Sequence, residues 1–104
     1  MNETLKDAMT HTVEVWWWNM GRKRLDFRGT YADYINKIGA KIRKTKDGYT
    51  CTVSTSSTTV TCKSADHDPL RALNDSIVLF LTIMGDRALF HGAHGYSRCV
   101  NVRA

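Results

Sequence analysis

The stretch from Asp68 to Gly85, DPLRALNDSIVLFLTIMG, decides how the rest of the chain is arranged. Asp68 is placed to cap the first free amides, Pro69 suits the first helical position, and Gly85 supplies a stop. Leu70, Leu73, Ile77, Leu81 and Met84 recur at spacings of three and four, so they predict one apolar stripe on a helix. Burying five such side chains contributes about 8–15 kcal/mol before entropy is subtracted, which puts this helix at the centre of the core. Val78, Leu79, Phe80 and Ile83 flank the stripe, while Asn74, Asp75 and Ser76 mark a polar side. Either the residues after Gly85 cover that apolar surplus or a second copy does. The segment Tyr96 to Val102, with Val100 and Val102 on one face, favours cover from within, and so a monomer over a homodimer.

The 104 residues are expected to form a single domain, 1–104, with an apolar fraction of 42% and a charged fraction of 24% that suit a globular protein. Fifteen lysines and arginines against ten acids give a formal charge of +5, which fits an acidic partner, either nucleic acid or an acidic protein face. The start, MNETLKDAMTHT, has no apolar run of the kind a secretory signal needs. The longest apolar run, Ile77 to Leu81, is far short of the roughly 20 residues that span a bilayer. A soluble protein of the cytoplasm, with no membrane contact, is the expectation. The three cysteines contain no C-x-x-C pair, so neither a disulfide framework nor a zinc ribbon is indicated.

Residues 1–11 read as a short helix through Leu5 and Met9 or as a flexible tail. From Thr12 the run VEVWWW, then NMGRKR and LDFRG, predicts a hairpin turning at Asn19 to Gly21. An even register puts Val13, Val15, Trp17, Leu25 and Phe27 on the core face, and Glu14, Trp16, Trp18, Arg22, Arg24, Asp26 and Arg28 on the other. Thr30 with Asp33 imitates a capping box, and Tyr31, Ile35, Ile38 and Ile42 fall at helical spacing, predicting a helix through TYADYINKIGAKIRK that stops before Asp47-Gly48. Lys37, Lys41, Arg43 and Lys44 then form a basic patch on that helix and its end.

Two threonine-rich strands follow, YTCTVST and STTVTCK. A turn centred between Ser56 and Ser57 sets Cys51 opposite Cys62, Val53 opposite Val60, and Thr52 opposite Thr61 on the outer face, with a four-residue loop or a slipped register as alternatives. After Gly85 the chain reads either as a short strand around Leu89, a glycine loop and a strand from Tyr96 to Val102, or as a helix extended to Phe90 before that strand. The order predicts an α+β fold: an antiparallel sheet of about five to six strands with two helices on one face, a two-layer sandwich whose other face is free for a partner.

The run Trp16, Trp17, Trp18 with Arg22, Lys23, Arg24 and Arg28 carries the most information about function. Alternation forbids three consecutive indoles from pointing one way, so at least one lies on the basic face, where tryptophan and arginine make interface hot spots. The partner-binding candidates are therefore Trp16, Trp18, Arg22, Lys23, Arg24 and Arg28. A base stacked on Trp16 or Trp18 is the nucleic-acid version of this reading, and cation–π pairing inside the hairpin is the structural one. His91, His94 and Cys99 form H-x-x-H-x4-C, but a closed zinc site needs a fourth ligand, and solvated loop histidines account for the pattern. Cys51 and Cys62 read as small core residues. Asp66 and Asp68 around His67 read as helix caps. No Ser-His-Asp, Cys-His or phosphate-loop pattern can be assembled, so no enzyme activity, cofactor or metal is expected.

The segment GYTCTVSTSSTTVTCKSADHDPLRALNDSIVLFL resembles a hairpin-then-helix unit of small proteins encoded by phages and mobile elements, and HicB-type antitoxins are similar over this third of the chain. In length and composition the whole chain is similar to phage-encoded inhibitors of host defence, of which anti-CRISPR proteins are the best known. That resemblance implies a class and transfers no residues. The expectation is a non-enzymatic protein that inhibits a host protein or nucleoprotein complex in the host cytoplasm, with a small nucleic-acid-binding protein or HicB-like regulator as the alternative.

Overall fold

The computed structural model describes residues 4–56, 58–64, 67–85 and 87–100. The helix that organises it, Pro69–Met84, begins where Asp68 accepts the Leu70 amide at 3.1 Å and ends at Gly85 in the left-handed conformation. Thr4 likewise caps a short helix at Leu5–Ala8 (α1), and Thr30 accepts the Asp33 amide at 3.2 Å to open a helix at Tyr31–Ile38 (α2). The strands are Thr12–Asn19 (β1), Arg22–Thr30 (β2), Lys41–Thr45 (β3), Gly48–Ser54 (β4), Thr59–Ser64 (β5), Ala88–His91 (β6) and Ser97–Val100 (β7), and Pro69–Met84 is α3.

The fold is α+β and antiparallel throughout. The strands divide into two sheets rather than one, of order β2-β1-β6-β7 and β3-β4-β5. The strand β3, which the sequence pattern does not foresee, arises at Gly39. The sequence pattern carries a helix through Ile42, but Gly39 adopts φ 71° and caps α2, its amide bonding back to Asn36. Lys41, Ile42, Arg43 and Lys44 therefore lie on a strand, not on a helix, and that strand pairs with β4 instead of joining β2. α3 packs on β4 of one sheet and β7 of the other, and α2 packs on β1 and β2.

Leu73, Ile77 and Leu81 of the predicted stripe are fully buried, while Leu70 is half-buried and Met84 is 48% exposed. The expected polar side is the larger departure: Asn74 and Ser76 are buried and only Asp75 faces solvent. Their partners explain it. Tyr31 Oη donates to Asn74 Oδ1 at 2.5 Å and accepts the Ala93 amide at 3.0 Å, and Ser76 Oγ bonds to the Ala72 carbonyl at 2.7 Å. One hydroxyl thus ties α2, α3 and the loop after β6 together, satisfying two polar groups that burial would otherwise penalise. Val78, Leu79, Phe80 and Ile83 are partly buried against the core.

The threonine-rich hairpin has the expected register, with Cys51 opposite Cys62, Val53 opposite Val60 and Thr52 opposite Thr61. Ser54 pairs with Thr59, which leaves a four-residue loop; Ser57 at its centre lies outside the described residues. The C-terminal segment takes the strand, loop and strand reading, with a short 3-10 turn at Ala93–Gly95. Val102 lies outside the described residues, so of the predicted pair Val100 is the one seen buried.

Candidate interaction face

The tryptophan hairpin turns through Met20 and Gly21, both at positive φ (53° and 77°), with Asn19 opposite Arg22. This two-residue turn matches the right-handed twist of the strands. Nearer the open end the pairing is Val15 with Phe27 and Glu14 with Arg28, but nearer the turn it is Trp16 with Leu25, Trp17 with Arg24 and Trp18 with Lys23. The register shifts by one residue, and Asp26 is the extra residue of a β-bulge.

The bulge corrects the even register expected from alternation. Leu25 leaves the core face and is 40% exposed beside Trp16, whereas Arg22 and Arg24 move to the Trp17 side of the sheet. The outer face of the four-stranded sheet consists of rows that cross the strands. Leu25, Trp16, Leu89 and Cys99 form one row, and Arg28, Glu14, His91 and Ser97 form the next. Trp18 lies beside Lys23, and its amide donates to the Arg87 carbonyl at 3.1 Å, extending the ladder toward the turn.

The cations on this face are already engaged. Lys23 Nζ lies 4.9 Å from the Trp16 ring centre and 6.0 Å from that of Trp18, and the Arg87 guanidinium lies 4.2 Å from Trp18. Each such contact is worth about 0.5–1 kcal/mol at an exposed site, enough to hold the indoles in place. Arg28 Nε donates to Glu14 Oε2 at 2.6 Å and holds that carboxyl below its usual range. The face is an ordered aromatic and aliphatic strip, half-buried at Trp16, Trp18 and Leu89, with its charges held at the edges.

Of the predicted partner-binding residues, the structure gathers Trp16, Trp18, Lys23 and Arg28 on one face and places Arg22 and Arg24 on the other. The secondary patch also divides. Lys37, in the last turn of α2, lies 3.6 Å from Asp26, and Lys44 points to the opposite side of β3 from Lys41 and Arg43. Sequence reading missed Leu25, Arg87 and Leu89. Leu25 is displaced by a bulge that leaves no sequence signature, and the other two depend on β6 pairing with a strand some seventy residues earlier.

His91, His94 and Cys99 diverge: the His91 Nδ1 contacts Ser97 Oγ at 3.1 Å, the His94 ring meets His11 edge-on at 5.0 Å, and Cys99 stands opposite Leu89. Among the described residues, no group of three or more histidine, cysteine or acidic side chains is arranged to hold a metal ion. Ser97, His91 and Glu14 share a row on three strands, an adjacency invisible in sequence; Glu14 is committed to Arg28 and Ser97 is open to water. Burial raises the Cys51 and Cys62 thiols, so both are poor nucleophiles. Asp66 beside His67 lies outside the described residues, and Asp68 is the α3 cap. No helix of the described residues is long and apolar enough to cross a membrane. No family model matches this chain, and no curated protein or solved structure matches it.

Proposed function

We propose that this chain is a non-enzymatic binding protein that inhibits a host macromolecular complex, in the manner of small phage-encoded anti-defence proteins, by docking the outer face of its four-stranded sheet. The observation that carries this reading is the strip of Trp16, Trp18, Leu25 and Leu89, uncovered by any helix among the described residues and held in place by Lys23 and Arg87. Ordering a flexible side chain on binding costs about 0.5–1.5 kcal/mol, and indoles already clamped by cations avoid that cost. A protein partner fits this face better than a phosphate backbone. Phosphates need free cations, whereas Arg28 is spent on Glu14 and Lys23 on the indoles.

The protein acts as a monomer in the host cytoplasm on this reading. Affinity capture from host lysate, comparing wild type with Trp16→Ala/Trp18→Ala, tests it. A macromolecular partner should be retained by wild type, should survive a high-salt wash, and should be lost from the variant while its melting temperature changes little. Retention of the same components by both proteins, or their loss with salt alone, would refute the assignment.

A further inference from the structure

The chain's positive charge is concentrated away from the tryptophan face. Residues 41–64 hold five lysines and arginines against one aspartate, a net +4 of the chain's +5. The register sorts these charges. On the outer face of the three-stranded sheet, Arg43, Thr50 and Lys63 form one row across β3, β4 and β5, and Lys41, Thr52 and Thr61 form the next. Lys41, Arg43, Lys63 and Thr61 are exposed, and no carboxylate among the described residues forms an ion pair with the three cations. The threonines add hydroxyl donors, with Thr52 and Thr61 already 3.2 Å apart. Ile42, Tyr49, Cys51 and Val53 face the core, so the outer face carries no aromatic ring among its described residues.

We infer that this face binds the phosphate backbone of duplex nucleic acid, independently of sequence. Lys41 and Arg43 stand about 7 Å apart along their strand, and Arg43 and Lys63 about 10 Å apart across two strand spacings. Three cations so spread, with hydroxyl donors between them, suit a run of phosphates. Single strands are held by stacking bases on aromatic side chains, which this face lacks, whereas a duplex keeps its bases inside and presents backbone alone. The inference does not rest on the tryptophan face. The two sheets would together suit a nucleoprotein target, the protein part met by the indoles and the nucleic acid by Lys41, Arg43 and Lys63.

Fluorescence anisotropy with a labelled random-sequence DNA duplex, titrated with the full chain at several salt concentrations, tests it. Neutralising three phosphates gives a slope of about −2.7 in log K against log salt, or roughly a 40-fold loss of affinity between 50 and 200 mM. The Lys41→Ala/Arg43→Ala/Lys63→Ala variant, its fold checked by circular dichroism, should lose most of that slope and bind at least tenfold more weakly at low salt. Trp16→Ala/Trp18→Ala should bind the duplex as wild type does. Four results would overturn the inference: absence of duplex binding by wild type at low salt, unchanged binding by the triple variant, tighter binding of the unpaired strand than of the duplex, or tighter binding of polyglutamate than of the duplex at equal charge, which marks an acidic protein as the occupant.

Discussion

Replacing Gly92 with alanine tests whether one hydroxyl holds three elements together. Gly92 has φ −111° and ψ −165°, extended backbone open to any residue, so its glycine is required for space and not for conformation. A Cβ at this position would collide with Tyr31 Oη and stand 3.0 Å from Asn74 Oδ1 and 3.1 Å from Phe90 Cζ. Overpacking of this kind costs about 1–3 kcal/mol. Pushing the hydroxyl aside also parts it from Asn74 and the Ala93 amide, and each buried group left unpaired costs about 1–3 kcal/mol more. Gly92→Ala should therefore lose roughly 3–9 kcal/mol, a large share of the about 5–15 kcal/mol that a domain has. Tyr31→Phe alone should lose about 2–6 kcal/mol by stranding the same two groups. In the double variant the colliding oxygen is gone, the methyl takes its space and the same two groups are stranded only once, so the double variant should lose about what Tyr31→Phe loses and the sum of the single losses should overshoot it by at least about 3 kcal/mol. Urea unfolding followed by circular dichroism measures all three variants, with a constant m-value as the check on two-state behaviour. Additivity to within about 0.5 kcal/mol would refute the reasoning, because the clash would then not be with the hydroxyl.

Trp17 alone of the three indoles packs against the core cluster, so Trp17→Ala should destabilise by about 2–3 kcal/mol, below the 3–5 of a fully buried ring. Thermal melts should show smaller losses for Trp16→Ala and Trp18→Ala, and equal losses in all three would remove the distinction between the faces. Burial raises the ionisation of the Tyr31 and Tyr34 hydroxyls above that of free tyrosine, and Tyr34 Oη has no hydrogen-bond partner among the described residues. Because the fold favours the neutral phenols, their contribution to stability is whole below pH of about 10 and is lost as pH rises above it. Absorbance at 295 nm should show Tyr31→Phe and Tyr34→Phe each deleting a late-titrating component; deletion of an early one would contradict the burial. Met20 is 96% exposed at φ 53°, so Met20→Asn should stabilise by about 1 kcal/mol and raise the melting temperature by roughly 4–8 °C, and a fall in melting temperature would count against the turn geometry.

The parts legible in the sequence were those whose signals are local. Asp68, Pro69 and Gly85 mark the ends of α3 through backbone chemistry within a few residues, and the alternation of threonine with Cys51, Val53, Val60 and Cys62 sorts the faces of β4 and β5, the register itself following from where the turn is centred. The parts that misled were those where a local pattern had a second solution. Ile35, Ile38 and Ile42 fit helical spacing, but Gly39 can end a helix as readily as sit inside one, and the alternation in KIRKT suits a strand equally well. Asn74 looked like solvent-facing polarity because its partner, Tyr31, lies on another helix. The candidate face was half legible. Tryptophan alternation placed Trp16 and Trp18 together, but the neighbours that give the face its chemistry come through the bulge and through β6.

Asp26 resolves a conflict between two reading frames in one hairpin. The core at Val13, Val15 and Phe27 demands one phase of alternation, the two-residue turn at Met20 and Gly21 imposes the other, and the bulge absorbs the mismatch. A three-residue turn would remove the mismatch without disturbing Val15 or Phe27. It would also carry Leu25 and Lys23 off the tryptophan side and set Asp26 and Arg24 there instead, exchanging an aliphatic neighbour for a charged pair. The chemistry of the outer surface is thus set by the size of a turn at the far end of the ribbon. Residues 20 and 21 reach the character of that surface without lying on it, and changes in turn length offer a route by which such a hairpin could acquire a different partner while its core stays as it is.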